Sequence, residues 1–282
     1  MPKKIKVYYA NVPNMGDILN RDIIKQCFGY DVTRRSYLTG DLSGIGSGLG
    51  HYTYEEENYK NILKQIFGIL KPKVYIWGTG FIDKREKDRK FVKKKIEFCA
   101  VRGRLSLARV EKLVGKKLDI ALGDAGILAS YLVEGEQIEK KYDVGIIAHF
   151  KEQEEPVFKE LLERFPNSTF VDVRQQPMDV VRKIAECRTT ISSSLHGLII
   201  SDSLNIPNRH IVVTNRLLGD GYKFEDYYSA YGLKHEYTDM RTSTIESLDE
   251  VCSSYRVTKE MTDKMKKDML EAFPYPSMKI LK

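Results

Sequence analysis

Short apolar runs alternate with amphipathic stretches of helical length along the first half of the chain. That alternation is typical of parallel α/β proteins, in which a crossover helix follows each strand. The pattern predicts strands over residues 5–10, 73–77, 98–101 and 118–122, and helices over residues 17–28 and 105–113.

The same alternation starts again after a polar, charged segment at residues 134–141. Two successive α/β halves with a polar joint predict two Rossmann-like domains, residues 1–140 and 141–282, that face each other across a cleft. The strands predicted in the second half are 143–148, 169–173, 189–192 and 211–213, and the helices are 155–165, 180–187 and 196–205.

The C-terminal tail carries its own helix signals. The segment from Ser243 to Glu246 fits a capping box, in which the acidic residue follows the hydroxyl by three positions. A last helix is predicted from about residue 258 to residue 272, and Pro274 stops it. We expect this helix to pack back on the first domain.

Composition limits the class of protein. Of the 282 residues, 42% are apolar and 10% are aromatic, which excludes a wholly disordered chain. No window reaches the roughly 18 apolar residues of a membrane-spanning helix. The five histidines show no metal-binding spacing, so we expect no metal centre. The four cysteines lie far apart along the chain, which favours reduced thiols in a cytoplasmic protein. They are Cys27, Cys99, Cys187 and Cys252.

The net charge of +7 is compatible with anionic small substrates, an anionic membrane surface or nucleic acid. The densest basic run, residues 84–95, is either a solvated face or a contact for anionic lipid headgroups. No nucleic-acid recognition motif accompanies the charge, so we expect no nucleic-acid partner.

Ligands of open parallel sheets bind outside the carboxyl ends of the strands, so the strand-to-helix turns are candidate sites. In the first turn, Gly16 permits a tight bend, and Asp17 either caps the next helix or takes part in chemistry. The glycine-rich segment 44–51 has backbone amides that can cradle an anion or let a sugar approach closely. It lacks the Gly-Lys-Ser ending of a nucleotide-binding P-loop. Trp77 is either a stacking floor for a sugar ring or a core residue.

The most informative turn runs from Ser192 to Gly197, where three serines and His196 precede an apolar helix. Hydroxyls and the free amides of a helix N-terminus make an anion site. A histidine there can deliver a proton to a bound anion. The alternative is serine capping, with His196 as a hydrogen-bonded structural residue. His149 also ends a strand of this half, and two histidines at strand ends strengthen the functional interpretation.

Five short motifs follow one another along the chain. They are Asn14-x-Gly16-Asp17-x-Leu19-Asn20, Trp77-Gly78-Thr79-Gly80, Val101-Arg102-Gly103-x-x-Ser106, Leu122-Gly123-Asp124-x-x-x-Leu128 and Ser193-Ser194-Leu195-His196-Gly197. Their order and spacing resemble those of the polysaccharide pyruvyltransferase family. Residues 44–47, the strand ending in His149, and residues 221–228 resemble the shorter branch of that family, which modifies exopolysaccharides and capsules.

The resemblance implies a fold similar to that of two-domain, GT-B type glycosyltransferases. It also implies transfer of the enolpyruvyl unit of phosphoenolpyruvate, without a cofactor, to a hexose of a polysaccharide repeat. The product is a pyruvate ketal in capsule or exopolysaccharide biosynthesis, and the acceptor is lipid-linked. We therefore expect a cytoplasmic enzyme with peripheral contact to the inner face of the membrane. The first domain takes the acceptor and the second takes the donor.

The sequence departs from the better-known members of the family at two arginines. One, directly before Leu-His-Gly, is replaced by Ser194, and the other, at the end of the first strand of the second domain, is replaced by His149. Another basic residue must therefore hold the phosphate or carboxylate of the donor. The candidates are Arg102, Arg174, Arg216 and Lys223. Lys223 and Arg216 rank first, because residues 215–228 are interpreted as a loop that faces the cleft.

The reaction implied by the resemblance assigns roles to these residues. Protonating the methylene carbon of phosphoenolpyruvate makes the phosphate-bearing carbon electrophilic, and two sugar hydroxyls then add in turn. The family's histidine falls on His196 as the acid, and Asp17 or His149 orients or deprotonates the acceptor. The residues expected to bind phosphoenolpyruvate are Ser193, Ser194, Leu195, Gly197, Lys223, Arg216 and Arg102. The residues expected to bind the acceptor sugar are Asn14, Gly16, Gly46, Ser47, Trp77 and Thr79.

Two other functions stay open. The same architecture suits a sugar-nucleotide-dependent glycosyltransferase, although the second half shows no clear acidic pair for a nucleotide ribose. A non-catalytic glycan-binding protein is the other alternative, and the presence of His196 speaks against it.

Overall fold

The computed structural model describes residues 3–10, 14–54, 60, 63, 69–70, 72–84, 90–92 and 95–278. Within these residues, two parallel sheets are flanked by helices, which confirms the predicted α/β class with two Rossmann-like halves. The likeness to two-domain glycosyltransferases stays a prediction.

Each half contributes one parallel sheet to the described part of the chain. The first half contains β1 (Lys4–Tyr8), β2 (Asp31–Arg35), β3 (Leu42–Ser43), β4 (Thr53–Tyr54), β5 (Val74–Trp77), β6 (Lys90–Phe91), β7 (Ile96–Val101) and β8 (Ala121–Leu122). The second contains β9 (Tyr142–Ile147), β10 (Ser168–Val171), β11 (Cys187–Ser192), β12 (Asn208–Val212) and β13 (Thr238–Asp239). The sheet orders are β2-β1-β3-β5-β7-β8 and β10-β9-β11-β12-β13, and β4 pairs separately with β6.

Helices connect these strands in both halves. The first half contains α1 (Met15–Ile23), which continues as a π-helical turn at Ile24–Phe28, and α2 (Arg104–Val114). It also contains 3₁₀ segments at Leu49–Tyr52 and Ala125–Leu132. The second half contains α3 (Pro156–Arg164), α4 (Pro177–Ala185), α5 (Leu195–Ser203), α6 (Tyr222–Ala230), α7 (Leu248–Ser254) and α8 (Lys259–Glu271).

In each parallel sheet, the chain adds its next strand on one side of the first strand and later strands on the other side. This change of side falls between β1 and β3 and between β9 and β11. The crevice at such a change of side is where open α/β sheets bind ligands. The register aligns the strand ends there, because Tyr8 lies opposite Ser43 and Ser192 lies opposite Ile147. These four strand ends define where a cleft between the halves can form.

One hydrophobic core runs through both halves. Val7 and Leu19 of the first half belong to the same buried cluster as Ile147 and Leu198 of the second. The 3₁₀ segment Ala125–Leu132 contacts both α1 and α5 and so connects the two sides. Burial of apolar surface therefore holds the halves together. The domain boundary near residue 140 stays a prediction.

The end of the described chain returns to the first half. The Trp77 indole Nε1 donates a hydrogen bond to the backbone carbonyl of Met269 at 2.9 Å, and Trp77 is fully buried. The Phe273 ring stacks on Phe28, with 3.6 Å between the ring centroids. Helix α8 thus lies against the first sheet.

Two local predictions were wrong. The capping box was predicted at Ser243, but the Ser243 hydroxyl donates to the carbonyl of Asp239 in a turn. The helix begins four residues later, where the Ser247 hydroxyl accepts from the amide of Glu250. The predicted loop over residues 215–228 is a loop only as far as Gly221, because α6 begins at Tyr222.

Two other expectations concern charge and membranes. Most of the basic run at residues 84–95 lies outside the described residues. No helix in the described ranges combines the length and hydrophobicity that crossing a bilayer requires.

Candidate active site

A cleft of about 220 Å³ opens at the carboxyl ends of β1, β3, β9 and β11. Both halves of the protein line it. From the first half, the lining residues are Tyr8, Tyr9, Ala10, Asn14, Asp17, Ser43, Ile45, Gly46, Ser47, Gly48, His51 and Ile82. From the second half, they are His149, Phe150, Ser194, Leu195, His196 and Lys223.

The serine turn before α5 builds the wall on the side of the second half. The Ser192 hydroxyl accepts from the amide of Ser194 at 3.0 Å and donates to the carbonyl of Ser194 at 2.9 Å. The Ser193 hydroxyl accepts from the amide of His149 at 2.9 Å. Ser192 and Ser193 therefore hold the turn in shape, and they are fully buried.

The N-terminus of α5 is left open by this turn. Ser194 is the N-cap residue, but its side chain makes no capping hydrogen bond. Among the described residues, the amides of Leu195, His196 and Gly197 have no hydrogen-bond partner. The first helical amides carry the positive end of the helix dipole, so this end of α5 favours an anion.

His196 lies in the first turn of α5 and is 8% exposed. Its Nε2 is buried and has no hydrogen-bond partner among the described residues. Gly16 packs against the ring so closely that a side-chain carbon at this position would lie 1.9 Å from Nδ1. Burial, with the charges of Lys223 and Arg102, lowers the pKa of His196 to about 3. The imidazole is therefore neutral at pH 7.

Lys223 lies in the first turn of α6 and is the only lysine or arginine among the described residues that line the cleft. Its ammonium stands 5.1 Å from the centroid of the Phe224 ring. It forms no salt bridge within the described residues. Burial and the charge of Arg102 lower the pKa of Lys223 to about 8, while Glu152 and Asp17 act in the opposite direction. An anion bound here would gain a cation that has no salt-bridge partner among the described residues.

His149 follows β9 and is the second histidine of this wall. Its Nδ1 accepts from the amide of Lys151 at 3.3 Å, so Nε2 carries the proton of the neutral ring. Burial, followed by the charges of Lys223 and Lys151, lowers the pKa of His149 to about 3. His149 is therefore a neutral hydrogen-bond donor at pH 7.

The opposite wall presents a carboxylate. The Asn14 side chain caps α1 by accepting from the amide of Gly16 at 3.4 Å, and it donates to Oδ2 of Asp17 at 3.1 Å. Burial raises the pKa of Asp17 to about 6, although the hydrogen bond from Asn14 and the charge of Lys223 lower it. A carboxylate with a pKa near neutrality suits a general base.

The glycine-rich loop after β3 forms part of the same wall of the cleft. Gly46 has φ 108°, a conformation that disfavours other residues, and its carbonyl accepts from the amide of Gly80 at 3.1 Å. Thr79 holds the loop from below, because its hydroxyl donates to Gly46 and accepts from the amide of Gly48 at 2.7 Å. Ser47 lines the cleft, whereas Thr79 is buried beneath it.

Aromatic side chains also line the first-half wall, and the sequence analysis missed them. Tyr8 ends β1 and makes edge-to-face contacts with Tyr37, His51 and Tyr52, at centroid distances of 6.0, 5.4 and 6.4 Å. Burial and the nearby Asp17 raise the pKa of Tyr8 to about 12, so its hydroxyl stays neutral. Its place at the carboxyl end of a strand was a usable signal, whereas the position of His51 depends on the tertiary fold.

Several predicted residues do not reach the cleft. Trp77 is in the core, so it offers no floor for a sugar. Arg216 forms a salt bridge with Glu155 on the surface, and Arg174 forms one with Asp172 at 2.9 Å. Arg102 is fully buried and paired with Asp226, and the residues lining the cleft do not include it. Ser193, Gly16 and Gly197 also lie behind the wall and support it.

Residues 14–215 match the family described as "Polysaccharide pyruvyl transferase". The chain belongs to the polysaccharide pyruvyl transferase family. The matched range begins at the Asn14 cap and includes His196, but it ends before Lys223.

Two relatives show how far the similarity extends. The Rhizobium meliloti succinoglycan biosynthesis protein ExoV is 22% identical over 247 residues, which are 85% of this chain and 69% of that protein. The mimivirus protein L143 is 30% identical over 166 residues, and the match spans 57% of this chain and 56% of the viral protein. Among solved structures, the Klebsiella pneumoniae protein KP1_0663 has a TM-score of 0.48 at 14% identity, covering 84% of this chain and 93% of that one.

Proposed function

We propose that this member of the family transfers the enolpyruvyl unit of phosphoenolpyruvate to two hydroxyls of one sugar and thereby forms a pyruvate ketal. The observation that carries the proposal is that Nε2 of buried His196 has no hydrogen-bond partner among the described residues and lies beside the open N-terminus of α5 and Lys223. An unpaired buried polar group costs about 1–3 kcal/mol, so a folded protein keeps one mainly where function needs it. A small anion that also needs a proton donor fits these three features.

The donor occupies the wall of the second half. The amides of Leu195 to Gly197 and the ammonium of Lys223 bind its phosphate or carboxylate, in place of the arginines of better-known family members. His196 delivers a proton to the methylene carbon. In the free cleft, burial and the charges of Lys223 and Arg102 keep this imidazole neutral. When the anion binds, its negative charge offsets those two positive charges, and the imidazole takes up a proton.

The acceptor occupies the first-half wall, where Tyr8, Tyr9 and His51 provide apolar surface and Ser47 provides a hydroxyl. Aromatic surface with a few polar groups suits a sugar ring, which has apolar faces and polar edges. Asp17 removes the proton of the attacking hydroxyl, because its pKa of about 6 leaves it ionised at pH 7. His149 supplies a hydrogen bond rather than a base, since its pKa is about 3.

The steps balance without a cofactor. The first hydroxyl bonds to the phosphate-bearing carbon as the methylene group gains a proton and becomes a methyl group. The second hydroxyl then bonds to the same carbon, the carbon–oxygen bond to phosphate breaks, and the proton of this hydroxyl passes to the phosphate, which leaves as inorganic phosphate. The similarity to a protein named for succinoglycan biosynthesis supports an exopolysaccharide repeat as the acceptor. We further propose that this repeat is carried on a lipid.

Phosphate release from phosphoenolpyruvate tests the proposal, with a panel of aryl hexosides and lipid-linked oligosaccharides as acceptors. We expect acceptor-dependent release that falls by at least about 100-fold in His196→Gln, because a general acid contributes about 10²–10⁴. His235→Gln is the control, since His235 lies outside the residues that line the cleft. Near-normal phosphate release by His196→Gln would show that His196 is not the general acid. Turnover of nucleotide sugars with no phosphate release would favour a glycosyltransferase instead.

A further inference from the structure

Arg102 connects the two walls of the cleft from beneath. Its Nε donates to Oδ2 of Asp226 at 3.0 Å, and its Nη1 donates to the Ser47 hydroxyl at 2.8 Å. Ser47 belongs to the loop on the first-half wall. Asp226 follows Lys223 by three residues on α6, so the two lie on the same side of that helix. One guanidinium thus bonds to both an acceptor-side loop and the helix that carries the cleft lysine.

We infer that Arg102 and Asp226 form a buried positioning pair, which sets Lys223 and the Ser47 loop at a fixed separation for phosphoenolpyruvate and the acceptor. The inference rests on the proposed function for the identity of the ligands. Arg102 itself does not touch the substrate, because it is fully buried and absent from the lining of the cleft.

The carboxylate of Asp226 is the point at which two sequence motifs meet. Besides Arg102, it accepts from the Ser106 hydroxyl at 2.6 Å and from the Ser106 amide at 2.8 Å. A side-chain carbon on Gly103 would lie 1.7 Å from the carbonyl of Asp226, so only glycine fits there. With the spacing Arg102-Gly103-x-x-Ser106, all three residues contact one aspartate, Asp226, which lies 120 or more positions away in the chain.

Stability alone gives a weak reason for such a pair. Removing two charges from water is costly, and well-packed apolar residues of similar size often serve a core equally well. This pair also acts on the cleft, because the charge of Arg102 adds to burial in lowering the pKa of Lys223. Of the other groups around Lys223, Glu152 and Asp17 raise its pKa and Lys151 lowers it, while His149 and His196 are neutral at pH 7.

The test replaces the pair by apolar residues in Arg102→Met/Asp226→Leu, which leaves no unpaired buried charge. Phosphoenolpyruvate binding is measured calorimetrically from pH 6 to 10. In the wild type, affinity falls as the pH rises through the pKa of Lys223, near 8. We expect the double variant to bind at least about tenfold more weakly at pH 7, and its loss of affinity to begin at higher pH. Unchanged affinity and an unchanged pH dependence would overturn the inference.

Two further variants separate positioning from general stability. Arg102→Lys keeps a charge but loses the forked geometry, so affinity falls while the pH dependence stays near that of the wild type. Arg104→Met is the matched control, because the exposed Arg104 also bonds to α6, through the Ser229 carbonyl at 3.0 Å. We expect it to bind phosphoenolpyruvate as the wild type does. If the double variant does not fold, Ser106→Ala removes one bond to Asp226, and affinity unchanged by that substitution would equally oppose the inference.

A measurement without substrate distinguishes this inference from the proposed function. Competitive acetylation read by mass spectrometry gives the pKa of Lys223 in the free protein. A wild type that does not bind phosphoenolpyruvate would contradict the proposed function. A rise in the Lys223 pKa in the double variant, but not in Arg104→Met, would still support the coupling through Arg102, and an unmoved pKa would refute it.

Discussion

Two of the helix N-termini that border the cleft differ in how their first amides are bonded: those of α1 have hydrogen-bond partners, and those of α5 have none among the described residues. At α1, the Asn14 side chain caps the amide of Gly16, and the amide of Met15 donates to the carbonyl of Val173. At α5, the Ser194 side chain caps nothing, and the next three amides have no partner in the described part of the chain.

The difference separates a structural helix end from one that is ready for an anion. The closed end of α1 presents a carboxylate, Asp17, which repels anions and can accept a proton from a hydroxyl. The open end of α5 lies beside a lysine and a histidine whose Nε2 has no partner within the described ranges. Adjacent helix ends with opposite charge preference suit a reaction between an anionic donor and a neutral sugar.

The largest expected effect comes from closing the open helix end. In Ser194→Asp, the new carboxylate caps α5 and occupies the place of the ligand anion. Two like charges about 4 Å apart repel by about 4 kcal/mol at an effective dielectric constant of 20. We expect phosphoenolpyruvate affinity to fall by at least about 100-fold, measured by calorimetry, while the melting temperature is maintained or rises.

Ser247→Asp is the control for this substitution, because Ser247 caps α7 away from the cleft. It should leave phosphoenolpyruvate affinity unchanged. If Ser194→Asp bound phosphoenolpyruvate as tightly as the wild type, the open end of α5 would not be the anion site.

The second effect concerns the lysine that complements this helix end. Lys223→Met removes the cation from the cleft but keeps a side chain of similar length. A hydrogen bond to a charged group contributes about 1.5–3 kcal/mol, so we expect affinity for phosphoenolpyruvate to fall by about 10- to 100-fold. Arg216→Met is the matched control, since Arg216 is paired with Glu155 on the surface. Equal losses in both variants would indicate a long-range charge effect rather than a contact.

The fold was largely predictable because its signals are local. Apolar runs indicate strands and amphipathic stretches indicate helices, because buried and exposed positions repeat with the period of the strand or the helix. Helix α6 was missed in part because the loop before it contains Gly219 and Gly221, and because Tyr222, Phe224 and Tyr227 are buried on different sides. The periodic signal is weak in such a helix.

The candidate site was predictable only where its chemistry lies within one turn. The serine turn and His196 are adjacent in sequence, and Asp17 follows its strand closely. Trp77 and Tyr8 both end strands of the first sheet, yet only Tyr8 lines the cleft. The tail residue Met269 covers Trp77 from 192 positions away, and no local pattern reports such a contact.

The smallest expected effect comes from removing the Asn14 cap at the closed N-terminus of α1. Asn14→Ala removes the hydrogen bond that stabilises ionised Asp17, so the pKa of Asp17 should rise from about 6. Since the base must be ionised, wild-type kcat/KM falls as the pH drops through that value, and in the variant the fall should begin at higher pH. Losing the cap also costs about 1 kcal/mol of unfolding free energy. Ser247→Ala should carry a similar stability cost without moving the acid limb. An acid limb that stays in place in Asn14→Ala, or that persists in Asp17→Asn, would mean that another group is the base and that the closed end of α1 is structural alone.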